Sequence, residues 1–422
     1  MKLLPGGRII MGVIAWVALA LGACLLLAWR TAIEPIVRPA VSEFDPAVVH
    51  RGAQLAALGN CASCHTAPGG EPLTGGRALS TPFGTLYSTN ITPDPKTGIG
   101  HWSRAAFRRA MREGVDREGR QLYPAFPYDH FTLVNDTDDD ALYAYLMTRR
   151  SVPALPRENQ LRFPMNVRWL LGTWKLLFFR EGQFQADAAH DAQWNRGAYL
   201  VNGLGHCGAC HTPRNRFGAE IPAQRLAGGD AQGWYAYAIN SASQARVPWD
   251  AAALSDYFRT GWQSDHGVAH GPMAEVTNAL AEIADSDRSA MSTYVGWMMS
   301  QEHRAHGATK LNGPADRDGA LVYAGACARC HDGTRALPFG GIRLQFSTAV
   351  SAANATNLIN VVLDGIGPSE VSAGPIMPGF ASTLSDSQLE SLLAYVRVHF
   401  GSQPPWPAIA ESVHQGRRRA HD

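Results

Sequence analysis

The chain has 422 residues, 45% of them apolar and 17% charged, a globular composition and not a disordered one. Its 37 basic and 36 acidic residues leave a net charge of +1, which excludes a strongly basic nucleic-acid binder and an acidic solvating chain. Seven cysteines are too few for a disulfide scaffold, and at roughly 150 residues per domain the length suggests about three domains.

At the amino end, Lys2 and Arg8 precede an uncharged run from Ile9 to Trp29 that is long enough to cross a bilayer as one helix. The positive-inside rule keeps the amino terminus cytoplasmic and sends the rest of the chain across. Residues 1–32 are therefore expected to form an uncleaved membrane anchor. A cleaved signal peptide is the competing reading, although its apolar core is usually only about 7–15 residues. Cys24 lies inside the run, in Leu21-Gly22-Ala23-Cys24, and reads as a plain membrane cysteine because Leu25, Leu26 and Leu27 continue the apolar stretch.

The other six cysteines occur in three identical frames: Cys61-Ala-Ser-Cys64-His65, Cys207-Gly-Ala-Cys210-His211 and Cys327-Ala-Arg-Cys330-His331. This spacing is the attachment signature of c-type haem. Two thiols one helical turn apart can each add to one vinyl group on a porphyrin edge, and the next residue supplies an imidazole as proximal iron ligand. Zinc would want four ligands, usually from paired Cys-x-x-Cys units. A thioredoxin-like motif would follow a strand and would not recur three times. Three covalently bound haem c groups are expected.

The motifs are 146 and 120 residues apart, and a repeated unit surrounds each. Before each motif lies a helical stretch with an early glycine, at Gly52, Gly197 and Gly319. After it comes an amphipathic stretch ending at Gly114, Gly261 or Gly365. A last helix carries Ala144-Tyr145-Leu146, Thr293-Tyr294-Val295 or Ala394-Tyr395-Val396, with acidic residues at its start, as helix amino termini favour. The expected units are 45–150, 194–300 and 313–400. Twelve residues after Gly261 is Met273, and twelve after Gly365 is Met377, each in a proline-containing loop before the last helix. A thioether there is the expected second axial ligand. The same count from Gly114 reaches Phe126, which cannot bind iron. Three arrangements stay open for the first site: ligation by His130, ligation by a methionine from elsewhere such as Met147 or Met165, or an open position.

Between the first two units, 151–193 is an apolar linker rich in Phe, Trp and Leu from Phe163 to Phe179, interrupted by Arg168 and Lys175. It is too charged to span a membrane. It either lies against a membrane interface or a partner, or packs across the first unit. Residues 401–422, with Pro404, Pro405 and Pro407 and then Arg417-Arg418-Arg419, read as a loose tail.

These residues resemble the membrane-bound three-haem cytochrome c subunits of bacterial dehydrogenase complexes, from about Asp45 to Gly401. The specific marks are Arg51-Gly52, the run Pro82-Phe83-Gly84-Thr85-Leu86-Tyr87-Ser88-Thr89-Asn90-Ile91-Thr92-Pro93-Asp94, Leu122-Tyr123-Pro124-Ala125, His211-Thr212-Pro213-Arg214-Asn215 and Gly271-Pro272-Met273. The resemblance implies an all-α chain of three tandem class I cytochrome c domains behind one N-terminal transmembrane helix. It implies haem domains in the periplasm at the inner membrane, and electron relay from a partner dehydrogenase subunit to ubiquinone or an oxidase. The alcohol dehydrogenase type has Met where this chain has Phe126. Tyr-Pro-Ala-Phe-Pro-Tyr-Asp-His looks more like the subunits that serve molybdenum hydroxylases, so that partner is favoured over a quinoprotein or flavoprotein. No nucleophile–base pair, phosphate loop or dinucleotide fingerprint stands out, so no catalytic residue is assigned. The alternative is a self-contained, peroxidase-like haem enzyme using an open first site.

Overall fold

The computed structural model describes residues 28–301, 316–332, 340–368, 374–401 and 403–421, with a few isolated positions besides. The chain divides into two compact units, 1–185 and 186–422.

One helix crossing occurs three times. In the first unit, helix Pro46–Leu58 starts at Asp45, whose carboxylate accepts the Ala47 N–H, with proline in the first turn. It packs on helix Asp136–Met147, and a Cβ at Gly52 would collide with the Ala141 carbonyl and the Tyr145 side chain. In the second unit, helix Ala192–Asn202 meets Asp285–Ser300 with Gly197 against Ala290 and Tyr294. Helix Arg317–Ala326 then meets Asp386–His399 with Gly319 against Ser391 and Tyr395. The glycine in each pair lets two backbones approach to a distance that any side chain would forbid. Around the crossings lie the cores: Leu55, Leu142, Tyr143 and Met147 at the first; Leu200, Leu204 and Met291 at the second; and Ile359, Leu363, Leu389 and Leu393 at the third.

The middle helices Arg104–Glu113, Ala251–Thr260 and Thr356–Asp364 end at Gly114, Gly261 and Gly365. All three glycines have positive φ, of 62°, 76° and 74°. A residue with a Cβ would be strained at each of these helix ends.

The architecture is not all-α, as the sequence led us to expect. Among the described residues, three small antiparallel sheets join the helices: Ala78–Thr81 with Gly84–Tyr87 and Gln160–Leu161, Gly229–Ala231 with Trp234–Ala236, and Trp262–Gln263 with Gly267–Val268. Strands of two to four residues are too short to show an alternating pattern, so they are silent in sequence. Nor is any helix among the described residues long and apolar enough to cross a membrane. The expected transmembrane run, Ile9 to Trp29, lies almost wholly outside the described residues.

The segment after 150 packs on the first unit, while Phe163, Leu176 and Leu177 stay exposed. Gln160–Leu161 adds a strand to its sheet. Helix Leu170–Phe178 packs down through Lys175, whose ammonium donates to the Glu113 and Gly114 carbonyls and to Gln121 Oε1 at 2.6, 2.8 and 2.7 Å. Those carbonyls close helix Arg104–Glu113, where a cation is favoured. The tail is not loose, which corrects a further expectation. Ile409–His421 is a helix packed on Thr356–Asp364, with Val413 fully buried. Arg417 donates to the Asp386 carboxylate and the Leu384 carbonyl, and Arg419 pairs with Asp364 at 2.7 Å. Prolines 404, 405 and 407 only mark the approach to this helix, and two of the three arginines that suggested solvation find partners on the core it covers.

Candidate functional site

Each Cys-x-x-Cys-His frame forms a single helical turn, at Cys61–His65, Gly208–His211 and Ala328–His331. Asn60 and His206, each just before the first cysteine of its motif, sit at φ 48° and 38°, so the chain reverses sharply into the first two motifs. No disulfide joins any of the six motif cysteines. Burial, and after it the neighbouring thiol, pushes Cys61 and Cys207 up to about 12 and Cys327 up to about 11. A thioredoxin-like or metal-binding cysteine would be shifted the other way.

The three histidines share one hydrogen-bond arrangement. His65 Nδ1 lies 2.6 Å from the Thr89 carbonyl oxygen, His211 Nδ1 2.5 Å from that of Tyr237, and His331 Nδ1 2.9 Å from that of Ile342. A carbonyl only accepts, so Nδ1 carries the proton in all three rings. Nε2 is then a bare lone pair, the tautomer a metal ligand needs. Burial holds His65 and His211 below the usual histidine range, which keeps the imidazoles neutral. Paired thiols with a neutral, oriented imidazole beside them fit covalently attached haem c.

The loops that follow the first two motifs are built alike. Gly75 N–H donates to the His65 carbonyl and Gly228 N–H to that of His211. The Thr66 and Thr212 hydroxyls accept from the N–H groups of Leu73 and Leu226, leucines held at φ 65° and 60° and buried. A leucine at positive φ is uncommon, and its burial beside each motif explains why the conformation is kept. The carbonyls of Thr89, Tyr237 and Ile342 were missed in the sequence, because a backbone acceptor leaves no residue signature.

The second-ligand candidates occupy different places. The first two repeats form the same hairpin after their glycines: Val115 bridges Gln121 and Trp262 pairs with Val268, with Leu122 N–H on Gly114 O and Ala269 N–H on Gly261 O, both 2.7 Å. Phe126 and Met273 therefore hold matching positions beyond it. Met273 lies in the first turn of helix Pro272–Ala281, not in the extended loop expected, because Gly271 and Pro272 start a helix there. In the third repeat Ile366 bridges Met377 directly. An equal count of twelve is thus not an equal place. Met377 packs against the third core.

His130 is buried, on the short helix Tyr128–Phe131 that sits against helix Arg104–Glu113. Phe126 packs edge-on to Phe131 at 5.3 Å. Of the alternatives, Met147 is fully buried in its helix, whereas Met165 is exposed.

Residues 49–150 match the cytochrome c family, and residues 314–396 match the family of cbb3-type cytochrome c oxidase subunit III. The chain is 46% identical over 398 residues to one of the subunits of nicotinate dehydrogenase from Pseudomonas putida, covering 93% of this chain but only 34% of that relative's length. It is 36% identical over 418 residues to the fructose dehydrogenase cytochrome subunit of Gluconobacter japonicus, covering 91% of this chain and 86% of the relative. It is 35% identical over 397 residues to the gluconate 2-dehydrogenase cytochrome c subunit of Pantoea cypripedii, covering 87% and 89%. Cytochrome c domains carry covalently bound haem c, which the thiol pairs and histidine tautomers fit. The chain belongs to the cytochrome c subunits of dehydrogenase complexes.

Proposed function

We propose that this chain is a three-haem electron relay. It accepts electrons from a partner dehydrogenase subunit and passes them to ubiquinone or a terminal oxidase, with its haem domains on the periplasmic side. The observation that carries this is the threefold repetition of one device: a thiol pair, then a histidine whose Nδ1 proton is held by a backbone carbonyl. On this reading Cys61 and Cys64, Cys207 and Cys210, and Cys327 and Cys330 form the thioethers. His65, His211 and His331 are the proximal ligands. Met273 and Met377 complete the second and third sites, and His130 completes the first. Haem c, when bound, supplies a one-electron ferric–ferrous couple. The protein's own work is to hold each imidazole in one tautomer, exclude water with buried apolar side chains, and choose the opposite ligand.

A molybdenum hydroxylase that oxidises a nitrogen heterocycle is the favoured partner. Two things support it: the Phe126 substitution within Tyr-Pro-Ala-Phe-Pro-Tyr-Asp-His, and the similarity to a nicotinate dehydrogenase subunit.

The test is haem stoichiometry. Alkaline pyridine spectra of the purified protein should give three haem c per chain, and Cys207→Ser with Cys210→Ser should give two. One or two haems in the wild type would sink the three-site reading. Carbon monoxide should leave the reduced, intact protein unchanged. A carbon monoxide complex would reject ligation by His130, and peroxide turnover without a partner would turn the reading toward the self-contained enzyme.

A further inference from the structure

The carbonyls that orient the first two histidines are themselves held, and by the same means. Thr89 follows strand Gly84–Tyr87 by two residues, and Tyr237 follows Ala236, the last residue of strand Trp234–Ala236. In the first site the Tyr87 N–H donates to Asn159 Oδ1 at 2.8 Å. In the second the Tyr235 N–H donates to Asn357 Oδ1, also at 2.8 Å. Each asparagine therefore grips the backbone two residues before the carbonyl that receives the histidine proton: Tyr87 before Thr89, Tyr235 before Tyr237.

The two asparagines come from unrelated parts of the chain. Asn159 lies just before strand Gln160–Leu161, which pairs with the gripped strand. Asn357 lies in helix Thr356–Asp364, which belongs to the third repeat. It grips twice, its Nδ2 also donating to the Tyr235 carbonyl at 2.8 Å, and Asn360 of the same helix donates to Gly233 O at 2.9 Å. Trp234, on that strand, also packs on Gly271, two residues before Met273. One short hairpin thus touches both sides of the second site and is anchored from the third repeat.

We infer that Asn159 and Asn357 are positioning residues that set the histidine–carbonyl hydrogen bonds of the first and second haem sites. This rests on the three-haem reading above. The physical reason is that an Nδ1–H bond to a fixed carbonyl makes the imidazole more basic and fixes its plane, which favours ferric iron. A carbonyl free to drift loses that effect. The second site is therefore tuned by the third repeat, and the first by the segment that follows it.

The experiment replaces each asparagine in the full-length protein with Leu, which keeps the bulk and removes the acceptor, and with Asp, which keeps the Oδ acceptor. Potentiometric titration and low-temperature paramagnetic resonance of the oxidised protein are the readouts. Asn159→Leu should raise the midpoint potential of one haem and move its low-spin signal. Asn357→Leu should do the same to a different haem, and neither should move the remaining one. Asn159→Asp should restore wild-type values, since its single bond is retained. Asn357→Asp should restore them in part, since it loses the bond to the Tyr235 carbonyl. Leu variants that keep three haems and show all three potentials and signals unmoved would overturn the inference alone. Equal shifts in all three haems would also overturn it, because they mark a general loosening. A wild type without haem at Cys61–Cys64 or Cys207–Cys210 would overturn the underlying reading and the inference with it.

Discussion

At the scale of single residues, three carbonyls decide which atom of each motif histidine holds the proton, and on the proposed reading the opposite ligand then decides the potential. Met273→Ala and Met377→Ala should each turn one haem high-spin, open it to carbon monoxide and lower its potential, because histidine–methionine ligation raises it. Absorbance near the haem–methionine band, followed by redox titration, checks this, and unchanged spectra in both variants would show the ligands lie elsewhere. A second residue-scale effect concerns Asp139, whose side chain is 1% exposed and lies 2.7 Å from the Arg112 guanidinium. Burial pushes its carboxyl up to about 7, against the pull of Arg112. The folded state therefore holds a proton that the unfolded chain releases near pH 4. Its contribution to stability is complete below about pH 4 and is lost as pH rises through about 7. Asp139→Asn should flatten that part of the stability–pH curve, as measured by denaturant titration from pH 4 to 8. A slope identical to the wild type would show that Asp139 stays ionised throughout.

At the scale of elements, the repeated crossing of first and last helices is the feature on which each repeat is built. Gly52, Gly197 and Gly319 bring the helices together at a separation set by backbone atoms alone. Gly197→Ala should cost about 3 kcal/mol, the upper end for overpacking, since the obstacle is the Ala290 carbonyl and not a flexible side-chain tip. Thermal unfolding would register it, and a change within error would mean the crossing can slide. The glycines and their partner tyrosines were visible in the sequence at matched places, because a helix contact leaves a spacing. The short strands were not. Their pairing is made by backbone groups over two to four residues, and Asn159 and Asn357 act on backbone as well, so neither left a pattern of side chains to read. The same holds for helix Leu170–Phe178. Its apolar residues suggested contact with something, but only the position of Lys175 on the Glu113 and Gly114 carbonyls shows what that contact is.

At the scale of the whole molecule, the three repeats are unequal in ways that matter for a relay. In the third repeat the bridge after the glycine reaches Met377 itself, whereas in the first two repeats it closes well before Phe126 and Met273. The first repeat has phenylalanine where the second has methionine, and so a different second ligand is proposed for it. Reductive titration of the protein used for the haem count should accordingly resolve three one-electron steps, with the proposed bis-histidine site the lowest in potential. Three coincident steps would contradict the assigned ligands.

The sequence by itself determined the family and the repeat, and proposed the covalent chemistry. Cys-x-x-Cys-His carries its meaning in residue types at fixed spacing, and helix crossings leave glycine and tyrosine at matching positions. The tertiary structure alone decided the rest: that small sheets accompany the helices, that the segment after residue 150 and the carboxyl-terminal helix belong to the cores they cover, and that equal counts to Met273 and Met377 reach unequal places. It also decided which carbonyl receives each histidine proton. The reason is common to all of these. They depend on backbone hydrogen bonds and on contacts between segments far apart in the chain, and such interactions are made by atoms that every residue possesses.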